Sequence, residues 1–303
     1  MTASLSKPNT AGGRPNPNDT LRPIIIIGAG RSGTNILRDL LVSQPAFATW
    51  PCDEINYIWR HGNRDHPTDQ FTRDMADGST RKFIRKQFSQ FSLKHPQAQI
   101  IEKTCANSLR CGFVHEIFPA AKFIHIIRDG RDVAASAALR WNAKLDVPYL
   151  LKKARFVPWT DLPYYGFKYF QARLYRLYSG QQRLSTWGPK FDSMESVFRE
   201  HDLEVGCAIQ WRQCVQAAID QLDELPSDQV LTIQYESFAE QPVSELKRIF
   251  QFLGHEVDQA ELQRIAERVS SKSIGKWRSQ LSEQQVVNIE EVAGDLLNQL
   301  GYV

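Results

Sequence analysis

"PIIIIGAGRSGTNILRDLL", residues 23–41, runs four isoleucines into a glycine-rich turn and then into an amphipathic segment. An unbroken apolar run of this length, bounded by a turn, reads as a strand buried on both faces, as in a parallel sheet. The turn carries Gly28, Gly30 and Gly33. There the backbone turns tightly, and the amides that open the next helix point at an anion. Which molecule owns the anion is left open by these letters. Read as G-x-G-x-x-G, with Asp53 about 20 residues further on, they match the fingerprint of an NAD-dependent oxidoreductase. Read as G-x-x-x-x-G-K-[ST], they place Gly28 and Gly33 correctly for a P-loop nucleotide-binding protein or kinase, but Thr34 stands where the lysine belongs. The bland alternative is that the glycines only let a strand turn into a helix.

Composition bounds the answer. The chain has 303 residues, 42% hydrophobic and 23% charged, enough to bury a large core as one α/β domain or two small ones. A net charge of +3 is too mild to indicate nucleic acid as a partner, whereas anionic small ligands remain open. Cys52, Cys105, Cys111, Cys207 and Cys214 are odd in number and form no C-x-x-C pair. That excludes a disulfide scaffold and a zinc site as expectations and fits a reducing cytoplasm. Residues 1–22 are rich in Pro, Asn, Gly and Thr, lack the apolar core of a signal peptide, and are expected to be a disordered tail; no later run has the length of a transmembrane segment.

Short apolar runs alternate with helical patterns, which predicts an α/β fold: a parallel sheet with helices on both faces. Strands are expected near 23–28, 46–50, 99–102, 122–127 and 229–234. Helices are expected near 32–43, 80–93, 109–117, 131–140, 194–222, 242–253, 258–269 and 283–299. Residues 141–200 stand apart, with ten Lys or Arg against five Asp or Glu and fourteen aromatics. This stretch reads as an inserted cap that supplies ring faces and cations to an acceptor; a cap with its own small apolar core is the plain alternative.

"KFIHIIRDGRDVAASAALRW", residues 122–141, is a second strand that ends in charge. Arg128 falls at the carboxyl edge of the sheet, where open α/β sheets bind ligands. On a helix starting near Arg131, Ser136 and Arg140 lie four apart on one face. Arg128, Ser136 and Arg140 can then converge on a second phosphate. The plain alternative pairs Arg128 and Arg131 with Asp129 and Asp132.

Together, "GRSGTN" (30–35), "IIRDGRDVAAS" (126–136) and "YESFAEQPVSELKRIFQFLG" (235–254) resemble the sulfotransferases that use 3′-phosphoadenosine 5′-phosphosulfate, above all bacterial relatives of the tyrosylprotein sulfotransferases. The likeness runs in order from about Pro23 to the C-terminus, with a sulfotransferase domain over 23–303 and only fragments such as "RLSTWGPKF" in the cap. It implies a P-loop-type parallel sheet, the phosphosulfate donor as co-substrate, adenosine 3′,5′-bisphosphate as product, and no metal. It assigns Arg31, Ser32, Gly33, Thr34 and Asn35 to the 5′-phosphosulfate, and Arg128, Ser136 and Arg140 to the 3′-phosphate.

By the same resemblance, the acidic pair Asp53-Glu54 in "WPCDEINYIW" supplies the general base, with Glu54 chosen and Asp53 the alternative; read from the residues, Asp53 instead caps the helix that begins there, and the connection is about two residues longer than in the animal enzymes. Lys103, in "IEKT", stabilises the leaving oxygen together with Arg31. Tyr235 lies at the cofactor. In "SSKSIGKWRSQL", Lys276 and one serine among Ser270, Ser271 and Ser273 close over the 3′-phosphate, with Ser271 the serine assigned. The transferred sulfuryl group carries one charge less than a γ-phosphate, so the missing P-loop lysine is no obstacle. Pro51, just before Asp53, weakens the oxidoreductase reading, which also leaves Arg128, Ser136 and Arg140 unused. The acceptor implied is a small-molecule, carbohydrate or lipid-linked hydroxyl, and the oligomeric state stays open.

Overall fold

The computed structural model describes residues 21–141 and 187–303. The expected tail, apart from residues 21 and 22, and the part of the expected cap between 142 and 186 lie outside the described residues.

Five parallel strands form the sheet: β1 Ile24–Ile27, β2 Phe47–Ala48, β3 Gln99–Lys103, β4 Lys122–Ile127 and β5 Val230–Gln234, in the order β2-β3-β1-β4-β5. The isoleucine run is the middle strand, paired on one side with β3 and on the other with β4. All four isoleucines are fully buried. Their alternation feeds two cores: Ile25 and Ile27 pack with Phe88 and Phe113, while Ile24 and Ile26 pack with Leu37, Leu40 and Phe250. Helices therefore cover both faces, as the sequence predicts.

Among the described residues the α-helices are α1 Thr34–Leu41, α2 Asn56–Trp59, α3 Gly78–Lys94, α4 Cys111–Ile117, α5 Gly130–Trp141, α6 Met194–Glu200, α7 Leu203–Leu222, α8 Tyr235–Glu240, α9 Pro242–Leu253, α10 Gln259–Ala266, α11 Trp277–Gln280 and α12 Glu283–Gln299. Asp77 starts α3 by accepting the Thr80 amide at 2.7 Å, and Ser282 and Gln285 cap α12 reciprocally. The helix expected over 194–222 is two helices. His201 and Asp202 take extended conformations between α6 and α7, and Phe198 folds back onto Gly206, where a Cβ would stand 2.8 Å from its ring. Only glycine lets the two helices meet that closely.

Of the ionisable side chains on the strands, Glu102 on β3 and His125 on β4 are the most deeply buried, each 1% exposed. Burial pushes the Glu102 carboxyl up to about 7, against the hydrogen bond from Thr104 and the charges of Lys103 and Arg110. Burial pushes His125 down to about 4. Their effects on stability have opposite sign. Native Glu102 keeps its proton between its ordinary 4.5 and about 7, so its contribution falls as pH rises through that window. Native His125 stays neutral between about 4 and its ordinary 6.5, so its contribution rises with pH there. Each slope is about 1.4 kcal/mol per pH unit, and between pH 4.5 and 6.5 they cancel. Urea unfolding across this range should show His125→Gln losing stability as pH rises and Glu102→Gln gaining it. Slopes in both variants equal to wild type would contradict the assignment.

Candidate active site

The order β2-β3-β1-β4-β5 sets three loops side by side at the carboxyl edge of the sheet. The Gly28–Thr34 loop leaves the middle strand. Lys103 ends the neighbour on one side, and Arg128 follows the neighbour on the other. Tyr235 follows the next strand out.

The central loop holds an uncommon backbone. Arg31 has φ 75° and Gly33 φ 91°. At Gly33 a Cβ would stand 2.4 Å from the Tyr235 ring, so conformation and space both require glycine. Ser32 is fully buried and its Oγ has no hydrogen-bond partner in the structure. Thr34 opens α1, its Oγ1 3.8 Å from the Cys105 Sγ, and Asn35 follows it, exposed. A buried hydroxyl without a partner in such a loop fits an oxyanion arriving from outside.

On the β4 side, Arg31 Nε donates to Ser136 Oγ at 3.0 Å. Arg128 donates to the Arg31 carbonyl at 3.1 Å and to the Ser273 carbonyl at 2.5 Å, and lies 4.6 Å over the Tyr235 ring. Its Nε is buried and unpartnered. Burial first, then repulsion from Arg140 and Arg128, lowers the pKa of Arg31. Asp132, 3.7 Å from Arg128, is the one carboxylate paired with any of these three arginines among the described residues. It also accepts the Gly275 and Trp277 amides at 2.7 and 2.9 Å, which ties the 273–277 segment over Arg128. Arg131 behaves as the plain reading had it: it forks onto Asp129 and reaches Glu290, a structural pair.

The serine that reaches this corner is Ser273, whose Oγ lies 2.6 Å from the Tyr235 hydroxyl. Ser271 is exposed, with its carbonyl taken by the Ile274 amide. Lys276 lies in the same segment, exposed, just before α11.

On the β3 side, Glu54 Oε1 accepts from Lys103 Nζ at 3.3 Å and from the Cys105 amide at 3.2 Å. Lys103 is 4% exposed. Burial alone would lower its pKa, but Glu54 above all outweighs this and holds it above the ordinary value, so it is a cation at neutral pH. Asp53 does not cap a helix. The residue before α2 is Ile55, with no side-chain cap, and Asp53 instead faces Arg38 at 3.5 Å. That also removes its role in the oxidoreductase reading, since β2 ends at Ala48 and the acid is spent on an arginine of α1.

Sequence reasoning passed over Thr104, Asn107 and Arg110, all fully buried behind the Glu54 segment. Thr104 Oγ1 accepts the Ile55 amide at 3.2 Å, and Arg110 donates to Asn56 Oδ1 at 2.6 Å. Their signal is the cluster of polar residues in "EKTCANSLR" directly after a buried strand.

Among the described residues, no group of three or more His, Cys, Asp and Glu is arranged to hold a metal, and no helix is long and apolar enough to cross a membrane.

Three comparisons bear on identity. The fold matches the sulfotransferase domain from the curacin biosynthetic pathway at 12% identity and TM-score 0.53, covering 91% of this chain and 97% of that one. It matches sulfotransferase STF9 from Mycobacterium avium at 13% identity and TM-score 0.52, over 93% and 78% of the two chains. It matches the sulfotransferase domain of the olefin synthase from Synechococcus PCC 7002 at 15% identity and TM-score 0.51, over 91% and 94%. At such identities these structures speak for the fold alone. Curated proteins gave no match to the sequence. The family model described as "Sulfotransferase family" matches residues 23–184 and 174–259, which takes in the central loop, Glu54, Lys103, the Arg128 strand end and Tyr235. With more than half of its length inside that match, the chain belongs to the sulfotransferase family.

Proposed function

We propose that the protein transfers a sulfuryl group from 3′-phosphoadenosine 5′-phosphosulfate to an acceptor hydroxyl. The observation that carries this reading is the meeting of Arg31 and Arg128 beside Ser136, with the carboxylate of Glu54 and the ammonium of Lys103 on the other side of the same loop. Two anion-holding regions thus flank one loop, and one of them carries a base.

The residues fit such a donor, because buried Ser32 Oγ and Arg128 Nε lack partners that phosphate oxygens supply. When bound, it provides a sulfuryl group on a phosphate leaving group. Arg31, Ser32, Gly33, Thr34 and Asn35 hold the 5′ end. Arg128, Ser136 and Arg140 hold the 3′-phosphate, joined by Tyr235, by Ser273 in place of Ser271, and by Lys276. Glu54 takes the proton of the acceptor hydroxyl. Lys103, kept cationic by Glu54, stabilises the departing oxygen together with Arg31, a role that needs no metal ion. The acceptor is a small-molecule, carbohydrate or lipid-linked hydroxyl bound against the expected cap. Five free thiols, four of them buried, support a cytoplasmic setting.

Labelled sulfate transfer from the donor to a panel of sugar, lipid-linked and phenolic hydroxyls tests the reading. Transfer to at least one acceptor supports it. Phosphoryl transfer from ATP with no sulfate transfer contradicts it. Arg128→Ala should weaken binding of adenosine 3′,5′-bisphosphate at least about tenfold, since a charge-assisted hydrogen bond contributes about 1.5–3 kcal/mol. Equilibrium dialysis with labelled bisphosphate measures this, and affinity unchanged in the variant would remove Arg128 from the 3′ site.

A further inference from the structure

Glu102 sits next to Lys103 at the end of β3, is 1% exposed, and has no place in the chemistry above. Both of its oxygens are engaged. Oε1 accepts from the Thr104 hydroxyl at 2.5 Å, and Thr104 Oγ1 in turn accepts the Ile55 amide at 3.2 Å. Oε2 accepts from Asn107 Nδ2 at 2.9 Å. Asn107 Oδ1 then accepts from Arg110 Nε at 2.9 Å, and the far end of Arg110 donates to Asn56 Oδ1 at 2.6 Å. Ionised above pH about 7, this buried carboxylate is thus the root of two hydrogen-bonded arms that end on consecutive residues, Ile55 and Asn56. The residue before them is Glu54.

We infer that Glu102 is a positioning residue for Glu54, fixing through Thr104 and through the Asn107–Arg110 arm the backbone that aims the Glu54 carboxylate. This rests on the reading of Glu54 as the base. The strand makes the arrangement economical. Consecutive residues of a strand point to opposite faces, so Lys103 reaches the Glu54 side chain directly while Glu102, turned away, holds the main chain behind it. Thr104 is the critical link because its single oxygen both donates to Glu102 and accepts from Ile55. Valine has the same shape and can do neither. Serine can do both. A base must lie within hydrogen-bond reach of the proton it takes, and displacement by about 1 Å can reduce turnover about 10²-fold.

The test compares Thr104→Val, Thr104→Ser and Glu102→Gln with wild type in sulfate transfer and in calorimetric binding of adenosine 3′,5′-bisphosphate. Thr104→Val should lower kcat about 10- to 10²-fold with bisphosphate affinity within about twofold of wild type, and Thr104→Ser should restore most of the rate. Glu102→Gln, which cannot accept from Asn107 at its amide nitrogen, should lower kcat in the same way. Unchanged bisphosphate affinity shows that the variants are folded. In a Glu54→Gln background Thr104→Val should cost little more, because there is no base left to aim. Wild-type kcat in Thr104→Val, or an equal loss of kcat and nucleotide affinity, overturns the positioning role while leaving Glu54 as base. A wild-type rate for Glu54→Gln alone overturns the base assignment, and the positioning role with it.

Discussion

Glu54→Gln is expected to lower turnover about 10²–10⁴-fold while leaving affinity for adenosine 3′,5′-bisphosphate nearly unchanged. The substitution isolates basicity. Glu54 Oε1 accepts from Lys103 and from the Cys105 amide, and an amide oxygen can accept from the same two donors. Side-chain length and anchoring are therefore kept, and what is lost is the ability to take a proton. The groups proposed to hold the 3′-phosphate, Arg128 and Ser136, lie with Arg31 on the β4 side of the loop, whereas Glu54 lies on the β3 side. Steady-state transfer and calorimetry on the same preparation check both halves. A wild-type rate, measured where transfer itself limits turnover, would place the base elsewhere, with Asp53 the next carboxylate in reach.

Lys103→Ala should reduce turnover about 10²-fold, the scale of removing one preorganised donor from a developing charge. The origin differs from that of Glu54. In the proposed role Lys103 acts on the leaving oxygen, so its loss should shrink with a donor whose leaving group is already a good one, whereas the Glu54→Gln loss should persist with every acceptor except an unusually acidic one. Lys103 is also charged in wild type at any neutral pH, because Glu54 more than offsets the burial that would neutralise it. Its deprotonation should therefore not appear as an alkaline limb in the rate profile below its ordinary 10.5. Equal sensitivity of wild type and Lys103→Ala to leaving-group quality would contradict the role.

Much of this was legible before any coordinates. Ile24–Ile27 reads as a doubly buried strand because no polar residue interrupts it, and it is the middle of the sheet. Arg128 was expected where a strand stops, and β4 ends at Ile127 just before it; Ser136 and Arg140 were expected four apart on one helix, and α5 carries both. Three features were not legible, each for a physical reason. The break at His201 and Asp202 depends on Phe198 folding onto Gly206, a contact across the turn that helical periodicity does not report. The choice of Ser273 over Ser271 depends on Asp132 gripping the Gly275 and Trp277 amides, which fixes where the 273–277 segment crosses Arg128. Glu102 reads as one more strand residue until the fold turns its carboxylate inward and sets Thr104 and Asn107 on its two oxygens.

Calorimetric titration with adenosine 3′,5′-bisphosphate and with AMP, without added magnesium, tests the proposed two-phosphate nucleotide site most directly. Arg128, Ser136 and Arg140 predict that the bisphosphate binds at least about tenfold more tightly than AMP, at about 1.5–3 kcal/mol for a charge-assisted contact to the 3′-phosphate. Equal affinity for the two nucleotides would contradict the 3′-phosphate site and, with it, the proposed donor.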